Sequence, residues 1–315
     1  MRGTTALKAM LPPAARGAAR RVRDDFKDGP VWRALRPKRR FQIYSLGTTK
    51  SGASTLKRCF RPHYRVGDEP EHQRVIAAIL AFAEGKIDRA ELAAFARAHD
   101  SRTWLELHAS QLNYFLMEAL LESFAEAKFI LTIRDCYSWA DAFMHQQLTL
   151  PLPLDSPWHK FRDLRFGADR FAHAAEERLL AARGLYTLDG YFSYWAEHNT
   201  RVISLIPKDR LLVVRTEEIG DALGRLSRFA GIEPGRLSPG PAYGDVARPV
   251  HGFLTALDDN FVEDKAQHHC GPLMQTYFPD VLGPWASRPT AEEPAAPPRQ
   301  AEEALPEAPR KAVRK

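Results

Sequence analysis

The chain has 315 residues, 44% of them hydrophobic and 27% charged, with a formal net charge of +6. That length and balance suit one large α/β domain with a substantial core and exclude a fibrous or wholly disordered chain. No apolar run approaches the ~18 residues of a membrane span, and no apolar stretch behind the N-terminal charges serves as a secretory signal.

Cys59, Cys136 and Cys270 share no C-x-x-C spacing and fit buried, reduced thiols, so the expected localisation is cytoplasmic. The charge is unevenly placed. Residues 1–40 carry twelve Lys and Arg against Asp24, Asp25 and Asp28, a net +9, so the rest of the chain sums to −3. The basic character therefore belongs to an arm. Residues 1–38 are expected to form a basic, partly disordered N-terminal arm with a short helix around 14–26. Peripheral contact with an anionic membrane surface or polyanion is the functional alternative to a solvated leader. No nucleic-acid partner is expected.

In chain order, Phe41–Leu46 predicts a buried strand, followed by a glycine-bounded loop and a helix over 54–60. Pro62 and the Gly67-Asp68-Glu69-Pro70 turn end that unit. Two helical patterns follow, Val75 to Ala83 and Glu91 to Ala96, separated by Gly85, and they look like an insertion on the sheet. Residues 101–110 show no clear pattern. Leu112, Phe115, Leu116, Ala119, Leu120 and Phe124 recur at helical spacing. Lys128–Arg134 predicts a second strand, and Asp135 heads a helix that Leu150-Pro151-Leu152-Pro153 closes. Residues 155–167 are expected as loop, with helices at 168–183 and 188–205. Arg210–Arg215 predicts a third strand, Ile219 to Ala230 a helix stopped by Gly231, and 234–252 a Gly/Pro-rich loop before a helix around 263–277. From Ala286 onward six prolines and alternating charge predict a disordered tail. The domain plan is thus an arm (1–38), an α/β domain (39–285) and a tail (286–315).

Strands separated by helices, with a glycine loop after the first, imply a parallel sheet covered by helices on both faces. Ligands of such sheets bind beyond the carboxyl ends of the strands. The loop at 47–54, Arg134 and Thr216–Glu218 should then share one rim. Backbone N–H groups and the dipole at the start of the loop's helix suit a phosphate or sulfate.

The loop nearly fits the nucleotide-binding pattern G-x-x-x-x-G-K-[ST], with Gly47, Gly52 and Ser54 in register, but Ala53 occupies the lysine slot. Lys50 stands before the second glycine instead. Without that lysine the usual γ-phosphate grip is missing. The middle strand ends in Arg134 where a metal-binding acid would be wanted, and a guanidinium there suits a second phosphate. Two anion sites without a metal site fit a nucleotide phosphorylated in two places.

Three blocks resemble the PAPS-dependent sulfotransferases, P-loop-type α/β enzymes. Gly47-Thr48-Thr49-Lys50-Ser51-Gly52-Ala53-Ser54-Thr55-Leu56 is similar to the family's 5′-phosphosulfate loop, usually K-S-G-T-T, with Ala53 and Ser54 in place of the two threonines. Lys128–Phe143 resembles the 3′-phosphate segment. Arg134 matches, whereas Ala142 stands where the family has a serine, and Ser138 is the nearest hydroxyl. Residues 207–232 are similar to a segment closing many bacterial members. Arg248 and His251-Gly252 lie in the territory of a C-terminal nucleotide loop whose own pattern is not reproduced there.

The resemblance implies PAPS as co-substrate, no metal, and sulfuryl transfer to a hydroxyl or amine of a carbohydrate, lipid or small-metabolite acceptor. Lys50 would neutralise charge developing on the bridging and 5′-phosphate oxygens. Ser51, Gly52, Ala53, Ser54 and Thr55 would hold the 5′-phosphate, and Arg134 with Ser138 the 3′-phosphate. His108 and Glu106, ahead of the helix that precedes the Arg134 strand, are equal candidates for the general base. Two alternatives stay open: an ATP-using P-loop phosphotransferase, and a nucleotide-binding or interaction protein that has lost catalysis.

Overall fold

A computed structural model describes residues 29–239, 252–281 and 283. The helix expected at 14–26, the tail from 286, and Arg248 and His251 lie outside the described residues. The described chain opens with α1 (Pro30–Leu35), β1 (Ile43–Ser45), α2 (Ala53–Phe60), β2 (Val66–Asp68), α3 (His72–Ala83) and α4 (Arg89–Thr103). β3 (Leu107–Ala109), a 3-10 turn (Gln111–Leu116), α5 (Met117–Ser123) and β4 (Lys128–Ile133) follow. Then come α6 (Cys136–Thr149), α7 (Pro157–Phe166), α8 (Arg178–Ala182), α9 (Leu188–Leu205), β5 (Leu211–Arg215), α10 (Leu223–Ala230) and α11 (Asp259–Tyr277).

The five strands form a parallel sheet in the order β2-β3-β1-β4-β5. Tyr44 pairs with His108 on one side and Phe129 on the other, and Ile133 with Arg215. Both faces are covered, as the apolar strands require. Ile43, Leu107, Ile130 and Val214 pack with Leu56, Phe60 and Leu226 of α2 and α10. Tyr44, Phe129 and Leu131, pointing the other way by the two-residue period, pack with Val75, Ile79, Leu92, Leu120 and Val202. A third cluster joins Trp139 and Phe143 of α6 to Tyr191 and Trp195 of α9 and Val262 and Cys270 of α11. Among the described residues no helix is long and apolar enough to cross a membrane.

Several expectations are corrected. The turn at 67–70 begins inside a strand. Val66-Gly67-Asp68 is the edge strand β2, and a Cβ on Gly67 would lie 2.2 Å from Leu105 Cδ1. The patternless stretch at 101–110 contains β3. α3 and α4 are not an insertion, because they form the crossover from β2 to β3, and α4 starts on a full capping box between Asp88 and Glu91. Residues 155–167 hold α7 rather than a loop: Ser156 caps the His159 N–H, and Pro157 sits at the first turn. The helix expected over 168–183 shrinks to a 3-10 turn at 175–177 and α8.

Candidate active site

The carboxyl ends of the strands gather the loop after β1, Arg134 after β4 and Thr216 after β5. The loop lies tight against β4. A Cβ on Gly47 would fall 2.1 Å from Thr132 Oγ1 and 2.8 Å from the Thr132 carbonyl oxygen. Lys50 turns the chain at φ +69°. Gly52 follows at φ +100°, where a Cβ would meet Ile219 Cδ1 at 2.7 Å.

Side chains from three other elements, and one of its own, hold the loop. Trp139 Nε1 donates to the Thr49 carbonyl at 2.8 Å, and Thr216 Oγ1 donates to the Ser51 carbonyl at 2.7 Å. Ser51 Oγ donates back to the Thr48 carbonyl at 2.7 Å. His198 Nε2 lies 2.6 Å from the Leu46 carbonyl. That carbonyl only accepts, so Nε2 carries the proton, and Nδ1 accepts from Tyr194 O–H at 3.2 Å. Burial drives the His198 pKa down to about 3, which keeps the ring neutral.

α2 begins at Ala53 with Gly52 as N-cap and no side-chain cap, so its first N–H groups face outward at the positive end of the helix dipole. Ser54 is exposed and Thr55 half-buried. The Ser51 N–H instead points inward to the Thr48 carbonyl at 3.2 Å, so Ser51 braces the loop from within.

Arg134 reaches across from β4. Its Nη1 donates to the Lys50 carbonyl at 3.3 Å and its Nε to Ser138 Oγ at 2.9 Å. Ser138 hydrogen-bonds in turn to buried Asp135, which also caps α6 by accepting the Ser138 N–H at 2.9 Å. Burial lowers the Lys50 pKa, and the Arg134 charge lowers it further. Two cations therefore converge at the open amino end of a helix. Ala142 is buried in α6, away from this pair's hydrogen bonds.

The structure does not bring the two expected bases to the rim. Glu106 precedes β3, at the amino end of the sheet, and accepts from the backbone N–H groups of Arg40 at 3.2 Å and Arg65 at 2.9 Å. His108 sits within β3, 4% exposed, with Nε2 3.0 Å from His99 Nε2 on α4. Burial, then the neighbouring His99, pushes its pKa well down. Both face structure rather than the loop.

Three rim residues escaped the sequence reading. Gln111, just past β3, bonds Thr49 Oγ1 through its Oε1 and donates from Nε2 to Glu69 Oε1 at 2.7 Å. Arg165 Nη1 donates to the same Gln111 Oε1 at 2.7 Å. Glu69, Gln111 and Arg165 thus form a chain of polar contacts ending on the loop. Their only sequence signals were Glu69 in a turn and Gln111 opening a helical pattern.

The family model described as "Sulfotransferase domain" matches residues 42–236, from β1 past α10. The chain belongs to this sulfotransferase family. Among solved structures, it is similar to a sulfotransferase from Alicyclobacillus acidocaldarius, with 16% identity over 75% of this chain and 96% of that one, TM-score 0.41. It is also similar to the sulfotransferase domain from the curacin biosynthetic pathway, with 18% identity over 74% of this chain and 92% of that one, TM-score 0.34. The sulfotransferase domain from the Synechococcus PCC 7002 olefin synthase matches at 16% identity over 73% and 84%, TM-score 0.34. Among curated proteins, none matches this sulfotransferase.

Proposed function

We propose that this sulfotransferase moves a sulfuryl group from PAPS to a hydroxyl or amine acceptor without a metal ion, and that residues 39–285 carry the reaction. The convergence of Lys50 and Arg134 at the uncapped amino end of α2 is the observation that carries the reading. It offers positive charge to two phosphates at once, while Ala53 withholds the lysine that a γ-phosphate would need. Gly47 and Gly52 let the loop pack closely on Thr132 and Ile219, which supports the reading by fixing the loop at the amino end of α2.

Each residue then has a defined task. The first N–H groups of α2, with the Ser54 and Thr55 hydroxyls, hold the 5′-phosphate. Lys50 neutralises charge growing on the bridging oxygen as the bond to sulfur breaks. Arg134, oriented by Ser138, holds the 3′-phosphate. Glu69, a rim carboxylate tied through Gln111 to the loop, takes the acceptor proton in place of His108 or Glu106. PAPS supplies the sulfuryl group: the acceptor–sulfur bond forms, the phosphate–sulfur bond breaks, and PAP leaves with the electron pair. The cysteines Cys59, Cys136 and Cys270, all buried and unbridged, support a reducing, cytoplasmic setting.

Calorimetry with PAP and with ATP, each with and without Mg²⁺, tests the reading. PAP should bind regardless of Mg²⁺ and more tightly than ATP. Mg²⁺-dependent ATP binding without PAP binding would instead make the chain a phosphotransferase. Lys50→Ala should abolish sulfuryl transfer while leaving thermal unfolding unchanged.

A further inference from the structure

A cavity of about 320 Å³ lies between α3, α4, α5, α7 and α9, within the range of small-molecule sites. Its body is hydrocarbon and ring surface, including Ile79, Leu92, Phe115 and Ala119. Apart from Arg165, its charged lining residues satisfy one another: Glu118 pairs with both Arg89 and Arg201, and Glu197 with Arg170.

Two side chains of the wall are linked to the phosphosulfate loop through one residue each. Tyr194 bonds His198, which bonds the Leu46 carbonyl at the loop's root. Arg165 bonds Gln111, which bonds Thr49 within the loop. Arg165 is only 9% exposed, and its Nε finds no hydrogen-bond partner among the described residues. Its guanidinium carbon lies 4.7–5.8 Å from the ring centroids of Phe143, Phe161, Phe166 and Tyr194, so the wall on this side is aromatic surface suited to a ring or alkyl body.

We propose that this cavity is the acceptor site and that the acceptor is an alcohol or phenol on an apolar body. The proposal rests on the PAPS reading for its chemistry: the hydroxyl oxygen forms the new bond to sulfur, its proton passes to Glu69, and PAP departs. A monosaccharide fits poorly. It would press a hydroxyl against Ile79, Leu92 or Phe115 from almost every carbon, and those side chains return no hydrogen bond.

The test uses the full chain and three readouts: PAP binding by calorimetry, direct binding of 2-naphthol by its fluorescence, and sulfuryl transfer from PAPS. Acceptors are 1-butanol, 1-hexanol, 1-octanol, 2-naphthol and glucose. Across the alkanols kcat/KM should rise roughly three- to four-fold per methylene, and glucose should stay inert. Leu164→Trp, at a cavity residue that is 44% exposed and tolerant of exchange, should cut 2-naphthol binding and turnover at least ten-fold with PAP affinity unchanged. A wild-type protein that binds PAP and sulfates glucose but not the alkanols or naphthol would overturn the assignment. So would a Leu164→Trp protein that handles 2-naphthol like wild type. Saturable naphthol binding that Leu164→Trp removes, in a protein that does not bind PAP, would retain the cavity as the apolar-alcohol site and place the failure in the PAPS reading.

Discussion

Arg134 is held in place before any ligand arrives. Its Nε is fixed on Ser138 and its Nη1 on the Lys50 carbonyl, so little side-chain entropy remains to be lost on binding. A pre-oriented guanidinium that grips a phosphate contributes about 1.5–3 kcal/mol. Arg134→Ala should therefore weaken PAP by roughly ten- to hundred-fold and adenosine 5′-phosphosulfate, which lacks the 3′-phosphate, by far less; calorimetry with both ligands checks this, and equal losses would make Arg134 structural. The two acidic residues divide in a different way. Glu69→Gln should lower kcat by about 10²- to 10⁴-fold with PAP affinity intact, as for loss of a general base. Glu106→Gln should leave kcat alone and lower stability by about 1–3 kcal/mol, because an amide NH₂ would face the Arg40 or Arg65 backbone N–H that the carboxylate now accepts. Stopped-time assays beside urea titrations separate the two outcomes.

At the scale of elements, the β1–loop–α2 unit sets the site by close approach. Gly47→Ala places a methyl against the Thr132 backbone carbonyl, an atom that cannot rotate away, so the loop must lift from β4. The expected result is a loss of roughly 1–3 kcal/mol in stability together with PAP binding. Gly220→Ala, where nothing lies within 4 Å, should stay within about ±0.5 kcal/mol and bind PAP normally. This unit was legible in the sequence because a strand, two glycines and a lysine carry their geometry locally. Arg134 and Thr216 were legible through the rule that parallel strands open at their carboxyl ends. Glu69, Gln111 and Arg165 were not. They meet only because β2 and β3 stack on β1 in the order β2-β3-β1, and strands of three residues are too short to show alternation. α7, which carries Arg165, is announced by Ser156-Pro157 rather than by an apolar stripe. His108 and Glu106 misled for the same reason: neighbours in sequence point to a buried face and to the wrong end of one short strand.

For the whole molecule, the buried ionisable groups make acid the weak side. His198 is neutral in the fold, with its pKa taken by burial from near 6.5 to about 3, and burial depresses His108 in the same direction. Between those values the unfolded chain binds a proton that the native state refuses, so stability is full above about pH 6.5 and falls as pH drops. Glu71 acts lower down. Burial alone would raise its pKa, but hydrogen bonds and charge from His99 and Arg102 outweigh it and hold the carboxylate at about 2. Its contribution is present above about 4.5 and is lost as pH falls toward 2. Comparing pH 7.5 with pH 5.0 therefore isolates the histidines. His198 alone should remove about 2 kcal/mol over that interval, at about 1.4 kcal/mol per pH unit below 6.5, and His108 adds to the loss. His198→Gln keeps a donor for the Leu46 carbonyl without a titrating ring. It should lower stability at pH 7.5 through lost packing on Tyr114, whose ring stacks 3.9 Å away, yet lose about 2 kcal/mol less than wild type on acidification. Urea midpoints for both proteins at both pH values measure the difference; parallel losses would mean that His198 takes up its proton at the same pH in the fold as in the unfolded chain, contrary to the Nε2–H and Nδ1 roles that its two hydrogen bonds require.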